Sequence, residues 1–197
     1  QNTTLGKLTY IDFKNPLHLV VLYKNFNTIV LLDNQLNETK TIDFNLETDA
    51  ISVEAVGWST QNKLWIYDGI TSRIGLYNIE NETFNWISNP SANNLIHFST
   101  SYTYFYGIDA TNSFYSYSIT GTKTNHDKIP NFDKLQIIDQ NRILYTIDNQ
   151  MVLYNVLKKI KTKINIDLKN YTYFYGTDGI LTIFTASEIR NFKLNLQ

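Results

Sequence analysis

Cysteine is absent from the 197 residues. That excludes a disulfide scaffold and any thiolate chemistry. Proline and glycine are few, 3 and 8, so Asn and Asp must supply most of the turns. Alanine is scarce, and no stretch keeps helical spacing between good caps. No apolar run approaches the length of a bilayer-crossing helix. An excess of one charge is missing too: the net charge is −1, which gives no electrostatic basis for a nucleic acid or an anionic membrane as partner.

What is present favours strands. Hydrophobic residues make up 43% and charged residues 18%, and the 14% aromatics are led by 14 Tyr and 11 Phe. This is the composition of a folded, β-rich protein. The chain opens Gln1-Asn2-Thr3-Thr4 without Met or a signal peptide. That fits a processed, exported protein or a shortened chain. The Asn-x-Thr tripeptides at Asn81 and Asn170 are what an Asn-rich sequence contains by chance.

Five segments repeat one pattern of apolar run, tight polar turn, second apolar run, second turn and a more polar third run. They begin at Leu17, Lys63, Tyr102, Arg142 and Tyr171. Most periods are near 40 residues, and the last, from 142 to 171, is shorter. Two of the segments open almost identically, "YTYFYGID" from Tyr102 and "YTYFYGTD" from Tyr171. A further short apolar run precedes each unit: "KLTYIDF" from Lys7, "ISVEAVGW" from Ile51, "NLIHFS" from Asn94, "KLQIID" from Lys134 and "KINID" from Lys163. About four short strands per repeat is the pattern of a propeller blade. The reading is an all-β chain, one β-propeller domain over 1–197, with five blades of about four antiparallel strands. An N-terminal strand is expected to close or complete the last blade. The competing reading is an irregular β-sandwich.

Strand chemistry agrees. An inner blade strand is covered on both faces and reads as a continuous apolar run. "LHLVVLY", "KLWIY", "YTYFYG" and "RILYTI" do so at the second position of each unit. The fourth strand is polar and alternating, as in "KKIKTKI" from Lys158, which sets Lys159, Lys161 and Lys163 on one face against Ile160 and Ile164. Lysines on an outer strand discourage edge-to-edge pairing; the alternative use is an anionic docking strip.

No catalytic constellation emerges. His18, His97 and His126 lie far apart without ligand spacing, and no nucleophile elbow, phosphate loop or zinc-protease pair is present. The chain is therefore expected not to be an enzyme and to need no cofactor or metal. Asp68, Asp109, Asp148 and Asp178 each follow a second strand and would share one rim, where carboxylates could bind Ca²⁺ or a basic partner. Each also opens a tight turn, which Asp does by bonding its own backbone, and the first unit has Lys24-Asn25 there, so turn chemistry is the preferred reading. The tyrosine runs read as packing rather than as a stacking platform. Trp58 and Phe26 lie beside turns, in "GWSTQN" and "KNFNT", and are the expected partner-binding residues.

"NPLHLVVLYKNFNTIVLLDNQLNETKTIDF", Asn15 to Phe44, followed by "NKLWIYDGITSRIGLYN", Asn62 to Asn78, resembles a family of small exported β-propeller-like proteins of the Bacteroidota. The family includes the plug of the type IX secretion translocon. The resemblance implies a periplasmic protein without catalysis. Such a protein docks on the periplasmic mouth of a large outer-membrane β-barrel translocon and closes it when no substrate is in transit. It assigns no contact residues. Two other readings are a glycan-binding propeller, motivated by Trp58, Trp65, Trp86 and the tyrosines, and a propeller hydrolase or lyase, which requires convergent carboxylates.

Overall fold

The computed structural model describes residues 5–46, 50–177 and 179–194. The strands are all antiparallel to their neighbours where pairing is recorded, and the helical content is two short 3₁₀ turns, Lys24–Phe26 and Phe44–Leu46. The first sheet runs β1 (Tyr10–Asp12), β2 (His18–Tyr23), β3 (Thr28–Asp33), β4 (Glu38–Asp43) in spatial order. The second repeats this with β5 (Val53–Trp58), β6 (Lys63–Asp68), β7 (Arg73–Asn78) and β8 (Thr83–Trp86). The third has β9 (Leu95–Thr100), β10 (Tyr104–Asp109), β11 (Ser113–Ser118) and β12 (Lys123–Lys128). The fourth has β13 (Lys134–Asp139), β14 (Arg142–Ile147), β15 (Gln150–Asn155) and β16 (Ile160–Ile164). The fifth has three strands, β17 (Tyr171–Thr177), β18 (Ile180–Thr185) and β19 (Ile189–Lys193). The chain falls into two compact units, Gln1–Ala110 with Ser116–Thr124, and Thr111–Tyr115 with Asn125–Gln197.

In the first unit, burial explains the continuous apolar runs. Val20 and Leu22 face a core shared with Ile29, Leu31, Val53, Val56, Leu64 and Ile66. The alternate residues Val21 and Tyr23 are buried on the opposite face with Val30. A strand with both faces covered has no position left for a polar side chain, so its alternation disappears. Glycine is required where sheets approach closely: a Cβ on Gly57 of β5 would lie 2.0 Å from Oγ1 of Thr100.

Tight turns fall to Asn and Asp, as the shortage of glycine demands. Asp148 and Asn149 both have positive φ, 49° and 57°. They form the two-residue loop between the paired Ile147 and Gln150, the backbone that suits a right-twisted hairpin.

The fifth sheet departs from the expectation. "KINID" is not its first strand: Lys163 and Ile164 close β16, and no strand lies in 165–170. Among the described residues no N-terminal strand completes it either: β1 pairs with β2. The reason is length. Between the fourth strand of one sheet and the second strand of the next, the chain has 44–62, 87–103 and 129–141, room for a connection and a first strand. The corresponding stretch before β17 is only 165–170. The short last period is therefore a lost strand. Ile166 and Leu168 still pack, with Leu144, Leu153, Phe174, Leu181 and Ile183, in the core of the second unit.

Candidate functional site

The two residues expected to bind a partner lie at opposite ends of one strand. Trp58 ends β5 and stacks on His18, which begins β2, with ring centroids 5.2 Å apart and planes 8° from parallel. Phe26 lies beyond the other end of β2, in the turn that Asn27 closes at φ 51°. Six residues of strand span roughly 20 Å. Phe26 is 45% exposed, with its ring over Gly6. Trp58 is half-buried against the core. One compact contact surface cannot be centred on both.

At the Trp58 end three segments of the first unit meet. The Trp58 N–H donates to the buried Asp12 carboxylate at 2.8 Å, and the Lys14 N–H donates to the same group at 3.1 Å. The Lys14 ammonium donates to the Thr100 carbonyl and, at 3.2 Å, to Ser99 Oγ. The Tyr102 carbonyl accepts from Ser59 Oγ at 2.8 Å and from the Thr60 N–H at 3.2 Å. These bonds hold the 13–17 loop, the 58–62 turn and the 101–103 turn together. They carry exposed apolar side chains: Phe13, Leu17 and Tyr102 are 55%, 58% and 47% exposed around the Trp58–His18 stack. Sequence reasoning named only Trp58 here. The available signal was the loop "FKNPL", where two apolar residues flank polar ones and a proline and so lie outside any strand pattern.

Of the four aspartates, Asp68 behaves as a turn former. Asp68 is fully buried and accepts from the N–H groups of Ser52, Ile70 and Thr71 and from the Thr71 hydroxyl. Burial pushes its carboxyl up, but these donors more than offset that and hold it below the usual carboxylate range. Asp68→Ala removes the acceptor of four part-buried hydrogen bonds and should cost about 2–3 kcal/mol, read as a lower urea midpoint with unchanged slope. Asp109 accepts from Asn93 Nδ2 at 3.3 Å, Asp148 is exposed within its turn, and Asp178 lies outside the described residues. Among the described residues no three His, Asp or Glu side chains gather as metal ligands would.

Of the tryptophans proposed for sugar stacking, Trp65 is fully buried, Trp58 is half-buried and lies against His18, and Trp86 is half-buried with the Arg73 guanidinium 4.1 Å over its ring. The tyrosine runs differ from each other. In β10, Phe105 and Tyr106 are buried, whereas in β17 Tyr173 is 55% exposed and only Phe174 and Gly176 are buried. The packing reading holds for β10. For β17 it fails at Tyr173, and β17 is moreover the edge strand of its sheet.

In the second unit, Asp127 accepts from the Tyr154 hydroxyl and from Lys159 at 2.7 Å. Burial works against the Asp127 carboxylate, but Lys159 and Tyr154 hold its pKa below normal. Burial and the Asp127 bond push Tyr154 up to about 12. A phenol shifted that way stays protonated near neutral pH and is not available as a general base, so this is an ion-pair staple. Lys161 lies 5.3 Å over the Tyr154 ring, so two of the three lysines on that strip already serve internal contacts.

No protein-family model matches the chain, and no curated protein matches it. Solved structures do. A streptogramin B lyase aligns with 95% of this chain and 68% of its own, at TM-score 0.60 and 14% identity. Virginiamycin B lyase from Staphylococcus aureus aligns with 95% of this chain and 74% of its own, at TM-score 0.52 and 13% identity. Hsv2 from Kluyveromyces lactis aligns with 94% of this chain, which spans 59% of that protein, at TM-score 0.65 and 8% identity. At such identities the likeness shows the fold alone: the chain is a β-propeller with five blades of three or four antiparallel strands.

Proposed function

We propose that the chain is a non-catalytic protein-binding propeller that works in the periplasm as a plug. It docks on a large outer-membrane β-barrel translocon and seals its periplasmic mouth. The supporting observation is the rim of Phe13, Leu17 and Tyr102 around the Trp58–His18 stack. Apolar and aromatic side chains held on a framework of buried bonds are what a protein contact needs, because the ordering cost is already met. A near-neutral chain suits reversible docking on a partner that must also open. The sequence resemblance from Asn15 to Asn78 supplies the identity of the partner.

A lyase role, which the two lyases suggest by fold, needs acid–base groups converging on a substrate. The groups with shifted protonation described above are tied up as turn former and staple. A glycan-binding role loses Trp65, which is fully buried, and has Trp58 and Trp86 only half-buried.

The test is affinity purification from a Bacteroidota envelope with the wild-type chain and with the triple variant Phe13→Ser, Leu17→Ser, Tyr102→Ser. All three side chains are exposed, so the variant should fold. Wild type should recover a large outer-membrane barrel protein, and the variant should recover at least tenfold less, since hot-spot truncations cost about 1–2 kcal/mol each. Equal recovery by both would refute the rim assignment.

A further inference from the structure

The missing first strand of the fifth sheet leaves a backbone edge in the second unit. Gly176 donates its N–H to Gln136 Oε1 at 2.6 Å and accepts from Gln136 Nε2 at 2.8 Å. The Thr172 carbonyl accepts from the Lys134 ammonium, which also lies 4.7 Å over the Tyr171 ring. Backbone groups alternate sides along a strand. Phe174 and Gly176 therefore present their N–H and C=O groups away from β18, toward β13; Thr172 lies at an irregularity in the pairing with β18, and its carbonyl turns to Lys134. Two side chains of β13 stand there in place of a strand, and the Gln136 amide copies one peptide unit of it. Tyr173, in the middle of β17, is 55% exposed.

The sequence says what fits this edge. β10 and β17 open with the same "YTYFYG". In β10 the equivalent edge is covered by β9, with Phe105 opposite Thr100 and Gly107 opposite Phe98. We propose that the edge of β17 is an acceptor for an extended polypeptide segment of a partner protein, with the alternating apolar pattern of β9, which adds as the fifth sheet's fourth strand. The segment displaces Gln136 and Lys134 and gains main-chain bonds at Thr172, Phe174 and Gly176. Gln136 and Lys134 act as the closed state of the edge and protect it from indiscriminate pairing. The inference rests on the reading of the chain as a protein-binding module, but uses a different surface from the Trp58 rim.

The probe is a synthetic peptide of residues 94–101, NLIHFSTS, added to the whole chain. Amide hydrogen exchange should show saturable protection at Phe174 and Gly176. Gln136→Ala and Lys134→Ala should each tighten binding about fivefold, because a competing bond is removed. Circular dichroism checks that both variants fold, and the wild type alone suffices if one does not. Absence of protection at β17 up to millimolar peptide overturns the proposal. So does dimerisation of Gln136→Ala without peptide, which would make a second copy the occupant. A failed peptide assay beside a rim-dependent capture of a barrel protein sinks this inference and leaves the plug reading standing.

Discussion

Trp65→Ala is expected to cost about 3–5 kcal/mol of folding stability. The side chain is fully buried on β6. Its ring meets Phe105 edge-on at 6.2 Å, and Phe105 in turn stacks on Phe98 at 6.1 Å and Tyr67 at 6.3 Å. Truncation leaves a cavity beside Phe105, and the three remaining rigid rings collapse poorly into such a space. The indole also donates to the Ser101 carbonyl at 2.9 Å. That bond fixes the turn bearing Tyr102, so the loss reaches the candidate contact rim. Trp65→Phe keeps most of the apolar volume and should cost about 1–2 kcal/mol, mainly for the lost bond. Domains of this size are stable by about 5–15 kcal/mol, so the Ala variant should sit near the limit of folding. Urea denaturation decides it: a loss under 1 kcal/mol for Trp65→Ala would mean that the ring cluster is not packed as described.

Mild acid should remove about 3 kcal/mol through His97. Burial in β9 lowers its pKa from 6.5 to about 4. As pH falls, the unfolded chain takes up a proton on this imidazole first, while the folded chain resists. The contribution is whole above about pH 6.5, shrinks between 6.5 and about 4, and is constant below that. Burial and the Lys159 charge also lower the pKa of His126, which adds in the same direction. A His97→Leu variant isolates the effect. Its stability should fall less between pH 7 and pH 4.5 than that of wild type, by most of the His97 contribution. Parallel pH profiles for the two proteins would show that His97 titrates normally in the folded state.

The repeat was legible because each blade must solve the same packing problem. Second strands with two covered faces lost their alternation, and fourth strands with one wet edge kept it. The same logic misled for β17. "YTYFYG" reads as core wherever it occurs, yet Tyr173 of β17 is 55% exposed. The spacing from 142 to 171 leaves too few residues for a first strand, and in physical terms that short period is an unpaired sheet edge.

The candidate site was half legible. Trp58 was found because an aromatic beside a polar turn is conspicuous. Phe26 was found by the same rule, but a turn signal does not say at which end of the strands the turn lies. Counting strand direction from β1 onward places Trp58 and Phe26 at opposite ends, a step that needed the pairing of β1 with β2 to be known. Phe13, Leu17 and Tyr102 become a cluster only through Asp12, Lys14 and Ser59, whose bonds join segments more than 40 residues apart in sequence. No local pattern announces such a junction.

Photo-crosslinking in the native envelope tests the central claim most directly. A photoreactive phenylalanine analogue would be placed at Phe13 in one variant and at Phe26 in another, both exposed positions at opposite ends of β2. The account predicts a crosslink from position 13 to a large outer-membrane β-barrel protein, and a far weaker one from position 26. A barrel crosslink from position 26 alone, or none from either, would contradict it.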